Sequence, residues 1–487
     1  IEGVSGSLYR GVRADRFEWH GDGTSASGTG LVASWSLAGL LRRHLIVPEL
    51  AVRSLAVRLP PPREPAPPPE PTAMPGPIGL PLTLSVQHLA VGELRIIPGA
   101  PPDRAGESAD IVVTDIAARL AYRDDAFRID DLHARTPYGD LSGAHVGFGG
   151  QPPHPLRVEA HLDGAAAQVG YQLALAAQGD LERLEARLTG TVAEAPVDAV
   201  AALAPLAVMP LTTLSVEVAR LDLRLLAEAA PTTRLDARLE LAPRAGGDDW
   251  GGTIAVRNPQ AGSLADGRLP LEAFDASIGV LAAQDPVARE LGMDELVLAL
   301  PGTAPEQGRI RGSLAVAPGR QLQLGGAELP EVRAQLAFEA LDLAGFAAGL
   351  PPTALDGHLD VDRDRFMLAL AQSEARLRDL VPAATRMPPG DAEVRVHGRL
   401  DAAALHLAEA RLRLGDTRLE ASGEATLAEP YRIDAKGTVA RLRPGQWLPE
   451  ALAADPRLRD GVLNGTWTIA GRVAPDALRL GQLVDHL

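Results

Sequence analysis

The nearest approach to a metal site in this 487-residue chain is the run Asp360-Val361-Asp362-Arg363-Asp364, whose carboxylates have the spacing of an EF-hand loop. Arg365 stands where that loop needs glycine, and Ala371 where it needs a bidentate glutamate. The run therefore reads as a charged strand face entering a turn. Eleven histidines are scattered without H-E-x-x-H or comparable ligand spacing. His358, His397 and His406 fall on polar strand faces. There is no cysteine, hence no disulfide, thiolate ligand or cysteine nucleophile. No G-x-S-x-G or Walker A motif is present, and no G-x-G-x-x-G opens a helix. Gly147-Phe148-Gly149-Gly150 reads as a turn, not a phosphate cradle. Asn464-Gly465-Thr466 matches a glycosylation sequon by chance, and Trp35, Trp447 and Trp467 read as packing anchors. These residues point to no enzyme, with no catalytic residue, cofactor or metal.

The elements that carry these residues are mostly short strands. Hydrophobic residues make up 46% of the chain but aromatics only 3%, and 49 glycines with 41 prolines supply many turns. The net charge is −16, a poor balance for contacting nucleic-acid phosphates, so no nucleic-acid partner is expected. No apolar run reaches 18 residues, and the chain, starting at Ile1, reads as a piece of something longer. Strands at about one per 14 residues would give about 30 to 35 of them.

One stretch recurs. LDLRLLAEAAPTTRLDARLEL at 221–241 aligns without a gap on LDLAGFAAGLPPTALDGHLDV at 341–361. Leu221/Leu341, Asp222/Asp342, Pro231/Pro351, Thr233/Thr353 and Asp236/Asp356 coincide. A looser copy spans 440–469, with Leu442 and Leu463-Asn464-Gly465 in the matching places. Repeats of this length indicate a structure built by stacking. Each copy reads as strand, short helical cap over a segment such as Ala344–Leu350, proline turn, strand.

Along the chain, 1–19 is glycine-punctuated β pattern. A strand over Leu31–Trp35 leads into helical turns over Ser36–His44, with Ser36 as N-cap, then two further strand signals. Residues 60–81 hold eleven prolines and read as an extended solvated excursion. Residues 197–209 and Pro286–Gly292 are helix-compatible. The clearest strands lie in 390–442. The expected division is 1–59, an N-terminal strand–helix–strand module; 60–81, the proline-rich loop; 82–220, a repetitive β region; 221–340 and 341–440, repeat modules; and 441–487, the start of another.

The strand ending in Trp35-Ser36-Leu37, its Leu40-Leu41 turn and the following I-x-x-L-x-V-x-x-L-x-V-x-L pattern resemble the AsmA-like family. So do GVSGSLYRGV near the start, Pro137-Tyr138-Gly139 before Leu141-x-Gly143, and LRLGDTRLEASGEATL. Within that family the chain is most similar to the TamB type of translocation and assembly module subunit. The resemblance implies a bacterial envelope protein of the periplasm, held at the inner membrane by an anchor outside this chain. It also implies phospholipid as cargo and, through a C-terminal region not matched here, the outer-membrane partner TamA.

Alternation gives the fold expectation: a mainly β, elongated, curled antiparallel sheet, a taco-like or β-solenoid-like trough with short capping helices. One face is apolar: Leu235, Leu239, Leu241, Leu355, Leu359, Val361, Val394, Val396, Leu412, Leu414, Leu419, Ile433, Val439, Leu463, Trp467 and Ile469. Asp236, Arg238, Asp356 and Glu393 face outward. So much uncovered apolar surface calls for apolar guests, and a lipid-transfer groove linking inner and outer membranes, with a role in outer-membrane biogenesis, is the function expected. A closed β-solenoid of structural or adhesin type, and a chaperone-like scaffold for outer-membrane β-proteins, are the alternatives.

Overall fold

The computed structural model describes the chain except residues 8, 22–23, 61–71, 99–109, 167, 245–248, 282–289, 302–307, 325–326, 347–352, 374–389, 402, 428–430, 444–460 and 473–487. Two units are distinguished, Ile1–Leu221 and Asp222–Leu487. Each is built from β-strands that pair with their sequence neighbours into an open sheet.

The first unit holds β1 (Ser5–Ser7), β2 (Gly11–Gly21), β3 (Thr24–Ser36), β4 (His44–Arg58), β5 (Thr83–Ile97), β6 (Ile111–Arg123), β7 (Ala126–Thr136), β8 (Gly139–Gly149), β9 (Leu156–Ala166), β10 (Val169–Gly179), β11 (Leu184–Val192), β12 (Ala195–Leu203) and β13 (Leu211–Leu221). All its pairs are antiparallel except β4 with β5, where His44 lies beside Thr83 and Arg58 beside Ile97. That parallel pair departs from the antiparallel expectation. Its cause is the proline-rich connection, which returns the chain to the end of the sheet from which β4 began.

The described part of that connection, from residue 72 onward, forms a strap on the apolar side. Thr72 N donates to Leu206 O, and Ile78 N to Gly150 O. Gly79 lies against the Tyr122 hydroxyl, which donates to Asp125 Oδ1 at 2.9 Å. His154 is fully buried, stacked on Phe148 with ring centroids 5.4 Å apart, and its Nε2 lies 3.0 Å from Pro75 O. Tyr122, Phe127, Phe148 and Leu156 are cross-strand neighbours on one face, so the strap packs over the aromatic end of that face. Residues 72–81 are mostly exposed, as a solvated excursion would be, but they are tied to the sheet at Thr72, Pro75 and Ile78. Residues 61–71 lie outside the described part.

Several expectations change here. Strand β3 is longer than Leu31–Trp35. The turns that follow it are a 3-10 segment, Leu37–Arg42, and the Ser36 side chain makes no capping bond. The two strand signals after it are one strand, β4. Residues 197–203 are strand, not helix. Val197, Ala199, Ala201 and Leu203 are paired on both sides, with β11 and with β13, and that pairing overrides a weak alanine preference.

The second unit holds β14 (Leu235–Pro243), β15 (Trp250–Arg257), β16 (Ala273–Leu281), β17 (Glu290–Leu300), β18 (Gly308–Leu324), β19 (Ala327–Leu341), β20 (Leu355–Asp362), β21 (Arg365–Gln372), β22 (Ala392–Leu400), β23 (Ala404–Leu414), β24 (Thr417–Thr426), β25 (Arg432–Leu442) and β26 (Leu463–Arg472). Its strands are antiparallel neighbours throughout. Of the helical turn expected at Pro286–Gly292, Glu290–Gly292 are strand, and 286–289 lie outside the described residues.

The repeat has a structural meaning. In the second copy Asp342 Oδ1 accepts from Ala344 N and Thr353 N, both at 3.0 Å. Thr353 Oγ1 accepts from Leu343 N at 2.8 Å and donates to Leu341 O at 3.0 Å. In the first copy Asp222 Oδ1 accepts from Arg224 N and Thr233 N at 3.1 Å, and Thr233 Oγ1 accepts from Leu223 N at 2.9 Å. Each Asp–Thr clip folds the chain through a three-residue 3-10 turn, Leu223–Leu225 or Leu343–Gly345; in the first copy this stands in place of the longer helical cap expected, and of the expected Ala344–Leu350 segment residues 347–350 lie outside the described part. Just before each clip one residue is left-handed: Arg220 (φ 56°) and Ala340 (φ 51°), with Arg441 (φ 57°) in the third copy. Asp356 Oδ1 accepts from Ala340 N at 3.0 Å, and Asn464 Oδ1 from Arg441 N at 2.8 Å. The left-handed residue is therefore common to all three copies, it coincides with a strand bulge in the second and third, and Asn464 has a backbone role. The third copy lacks the clip aspartate, Arg443 standing in its place. Residues 444–460, including Trp447, lie outside the described part.

Candidate functional site: the apolar face of the second unit

Register places all sixteen sequence-predicted residues on one face of the second unit. The central row runs Leu239–Ile254–Ala276 across β14 to β16, and resumes as Leu336–Leu359–Leu368–Val396 and on to Trp467. Leu241 and Val361 share a flanking row with Ile278, Met293, Leu314, Phe366 and Ile469. On the other flank, Phe274–Leu298–Ile310–Phe338 lead to Leu370–Val394–Leu412–Leu419–Val439. Leu235, Leu355, Leu414 and Leu463 stand on the same face near the strand ends, and Ile433 stands opposite Ala425.

Most of these side chains are half-buried. Leu463 and Ile469, on β26, are exposed at 52% and 58%. Leu300, Phe338 and Leu341 form a buried cluster, with Leu355 and Leu359 packed against it. Among the described residues of this unit the helical elements are three-residue 3-10 turns, and Leu271 and Leu343 from the connections pack on the cluster. The Trp467 ring lies against Gly437, where a Cβ would come within 2.5 Å of it.

Sequence reasoning missed Ile254, Phe274, Leu298, Ile310, Leu336, Phe338, Phe366, Leu368 and Leu370 on this face. The signal was present, since these strands alternate. In β17, however, Asp294 and Glu295 form a bulge, with Glu295 left-handed (φ 51°), and the alternation changes phase there.

The opposite face is charged, as alternation predicts for Asp236, Arg238 and Glu393. Arg238 pairs with Glu240 at 2.8 Å, and Arg413 with Glu393 at 3.1 Å. Such exposed pairs add little stability but keep this face wet. Asp356 is exposed too, although its carboxylate holds the Ala340 bulge. The Asp360–Asp364 run is the end of β20 and a hairpin turn, with Asp362 opposite Arg365. Among the described residues no group of three His, Asp or Glu could hold a metal ion.

One histidine is bracketed by carboxylates. His406 Nε2 lies 2.7 Å from Asp401 Oδ2, and its Nδ1 lies 3.2 Å from Glu424 Oε2. Asp401 Oδ1 also accepts from Ala403 N and Ala404 N at 2.9 Å. Those two N–H groups, then His406, lower the Asp401 pKa to about 2. A depressed carboxylate stabilises the fold above its unfolded pKa of about 3.9 and loses that contribution as pH falls through the folded value. Asp401→Asn is therefore expected to flatten acid unfolding between about pH 4 and pH 2 in a circular-dichroism titration. An unchanged acid limb would contradict this assignment.

Comparison with protein-family models, curated proteins and solved structures finds no match for this chain.

Proposed function

We propose that the chain is a lipid-transfer conduit of the bacterial envelope, its apolar face carrying phospholipid acyl chains between inner and outer membranes. The observation that carries this reading is the set of half-buried apolar rows running from β14 to β26, with no helix longer than a 3-10 turn and no second sheet over them among the described residues. A dry solenoid would pack such rows into a core as dense as other protein interiors. Burial of an acyl chain is worth about 0.8 kcal/mol per CH₂, so a two-chain phospholipid in water lacks on the order of 20 kcal/mol of stabilisation. A continuous apolar strip supplies most of it along the whole path. The AsmA-like resemblance, its TamB type, the periplasmic location, the inner-membrane anchor and the TamA partnership belong to this same proposal.

The test is organic extraction of the purified chain, with the extract analysed by mass spectrometry. Phospholipid in at least equimolar amount is expected. Lipid-free protein that keeps its fold and takes up none from vesicles would overturn the reading.

A further inference from the structure

In the first unit the strap of residues 72–81 is held by a histidine whose two ring nitrogens both face carbonyl oxygens. His154 Nε2 lies 3.0 Å from Pro75 O on the strap, and its Nδ1 lies 3.0 Å from Gly149 O at the end of β8. The side chain is fully buried, so water cannot stand in for either partner. A carbonyl oxygen only accepts, and a neutral imidazole has a single N–H. The neutral ring therefore serves one carbonyl and turns a lone pair on the other. The imidazolium has two N–H groups and serves both. Its charge also lies where a cation is favoured, since the ring is parallel to that of Phe148, at 3° with centroids 5.4 Å apart. A buried charge is tolerated where its donors are matched, as both are here.

The packed elements bring no counter-charge to the ring. The strap has no titratable side chain, and neither do the turn residues 150–155 apart from His154. Asp125, before β7, accepts from the Tyr122 hydroxyl and from Gln151 Nε2. Asp180, after β10, accepts from Glu182 N and Arg183 N. On the charged side of β8 and β9, Asp140 pairs with Arg135, His145 with Asp130 and Arg157 with Glu159, while His161 and Asp163 lie farther along β9. Among the described residues no carboxylate pairs with the His154 ring. When its proton leaves, one of the two bonds must go. Gly149 is five residues away in the same turn, whereas Pro75 is 79 residues away. The local bond closes at the smaller entropic cost, so the strap bond is the one given up.

We propose that His154 is a pH-sensitive latch: as an imidazolium it clasps the strap over the aromatic end of the apolar face, and on losing a proton it lets the strap go. The strap is closed at low pH and released as pH rises. Release uncovers Tyr122, Phe127, Phe148 and Leu156, the cross-strand neighbours beneath it.

The test labels the histidines of the whole chain with nitrogen-15 and uses His154→Gln to identify the signal of this ring. Two protonated ring nitrogens are expected at about pH 5.5 and one at about pH 8, the interval in which histidines change charge. Hydrogen exchange of the strap, corrected for its intrinsic pH dependence, is expected to quicken about five- to tenfold over the same interval, as for the loss of one hydrogen bond. In His154→Gln the corrected exchange is expected to be the same at both ends. If that variant does not fold, Phe148→Leu serves instead: it removes the ring that favours the cation and is expected to release the strap at lower pH. A single protonated nitrogen at about pH 5.5, strap exchange that does not change with pH, or an unaltered pH dependence in the variant overturns the latch. No lipid enters this test, so its failure leaves the conduit reading standing.

Discussion

Replacing Asp342 with alanine is expected to lower the stability of the second unit by about 2–4 kcal/mol, because two backbone N–H groups lose their acceptor at once. Asp342 is only 5% exposed, so water cannot readily take its place at Ala344 N and Thr353 N. The loss spreads to the 3-10 turn, since Thr353 is held by Asp342 and itself holds Leu343 N and Leu341 O. Asparagine keeps an acceptor oxygen in the same place and is expected to cost less than about 1 kcal/mol. Asp222→Ala in the first copy breaks the same pair of bonds at a more exposed site, and its effect is expected to be smaller. Urea unfolding of the three variants checks the ranking through the midpoint, at unchanged slope. An Asp342→Ala midpoint within about 0.5 kcal/mol of the parent would contradict the clip.

The strand faces were legible because a period of two depends on the backbone alone. Leu412 next to Arg411 and Arg413 has to lie opposite them whatever it packs against. The repeat was visible as identities, Asp222 with Asp342 and Thr233 with Thr353, but not as a clip. The partners of these side chains are main-chain N–H groups brought close only by the turn, and those carry no residue type. Asn258 and Gln372, whose side-chain oxygens accept from Arg234 N and Ala354 N just after the clip threonines, were invisible for a related reason. They do equivalent work but do not fall at corresponding positions of the aligned copies, because the hairpins before them differ in length. The β4–β5 parallel pair was hidden by the proline-rich connection, whose composition gives no direction of travel. The strand at 195–203 was hidden by alanine and leucine, which favour helix when no partner strand is considered.

The second large effect concerns the apolar face itself. Leu412 lies between Val394 and Leu419 in register and outside the buried cluster of Leu300, Phe338 and Leu341. Leu412→Asp removes a half-buried side chain, a loss of about 1–2 kcal/mol of stability. For an acyl chain crossing that point the consequence is larger, because the carboxylate must shed water or break the apolar path. Lipid passage past β23 is therefore expected to fall at least tenfold while the unit stays folded. Leu359→Asp is a less clean probe, since Leu359 packs against the buried cluster and its loss is expected to weaken the fold as well.

The most direct test places a photocrosslinking amino acid at Leu412 and Leu419, on the apolar face, and at Arg411 and Glu420, on the charged face, in cells with radiolabelled phospholipid. Arg411 and Glu420 are cross-strand partners, as Leu412 and Leu419 are, so each pair samples the same two strands from opposite sides. Labelled adducts at Leu412 and Leu419, their absence at Arg411 and Glu420, and their loss in the Leu412→Asp chain when the probe is at Leu419 are the predicted result. Equal labelling of both faces, or no labelling at Leu412 and Leu419 in a folded chain, would contradict a lipid path along the apolar rows.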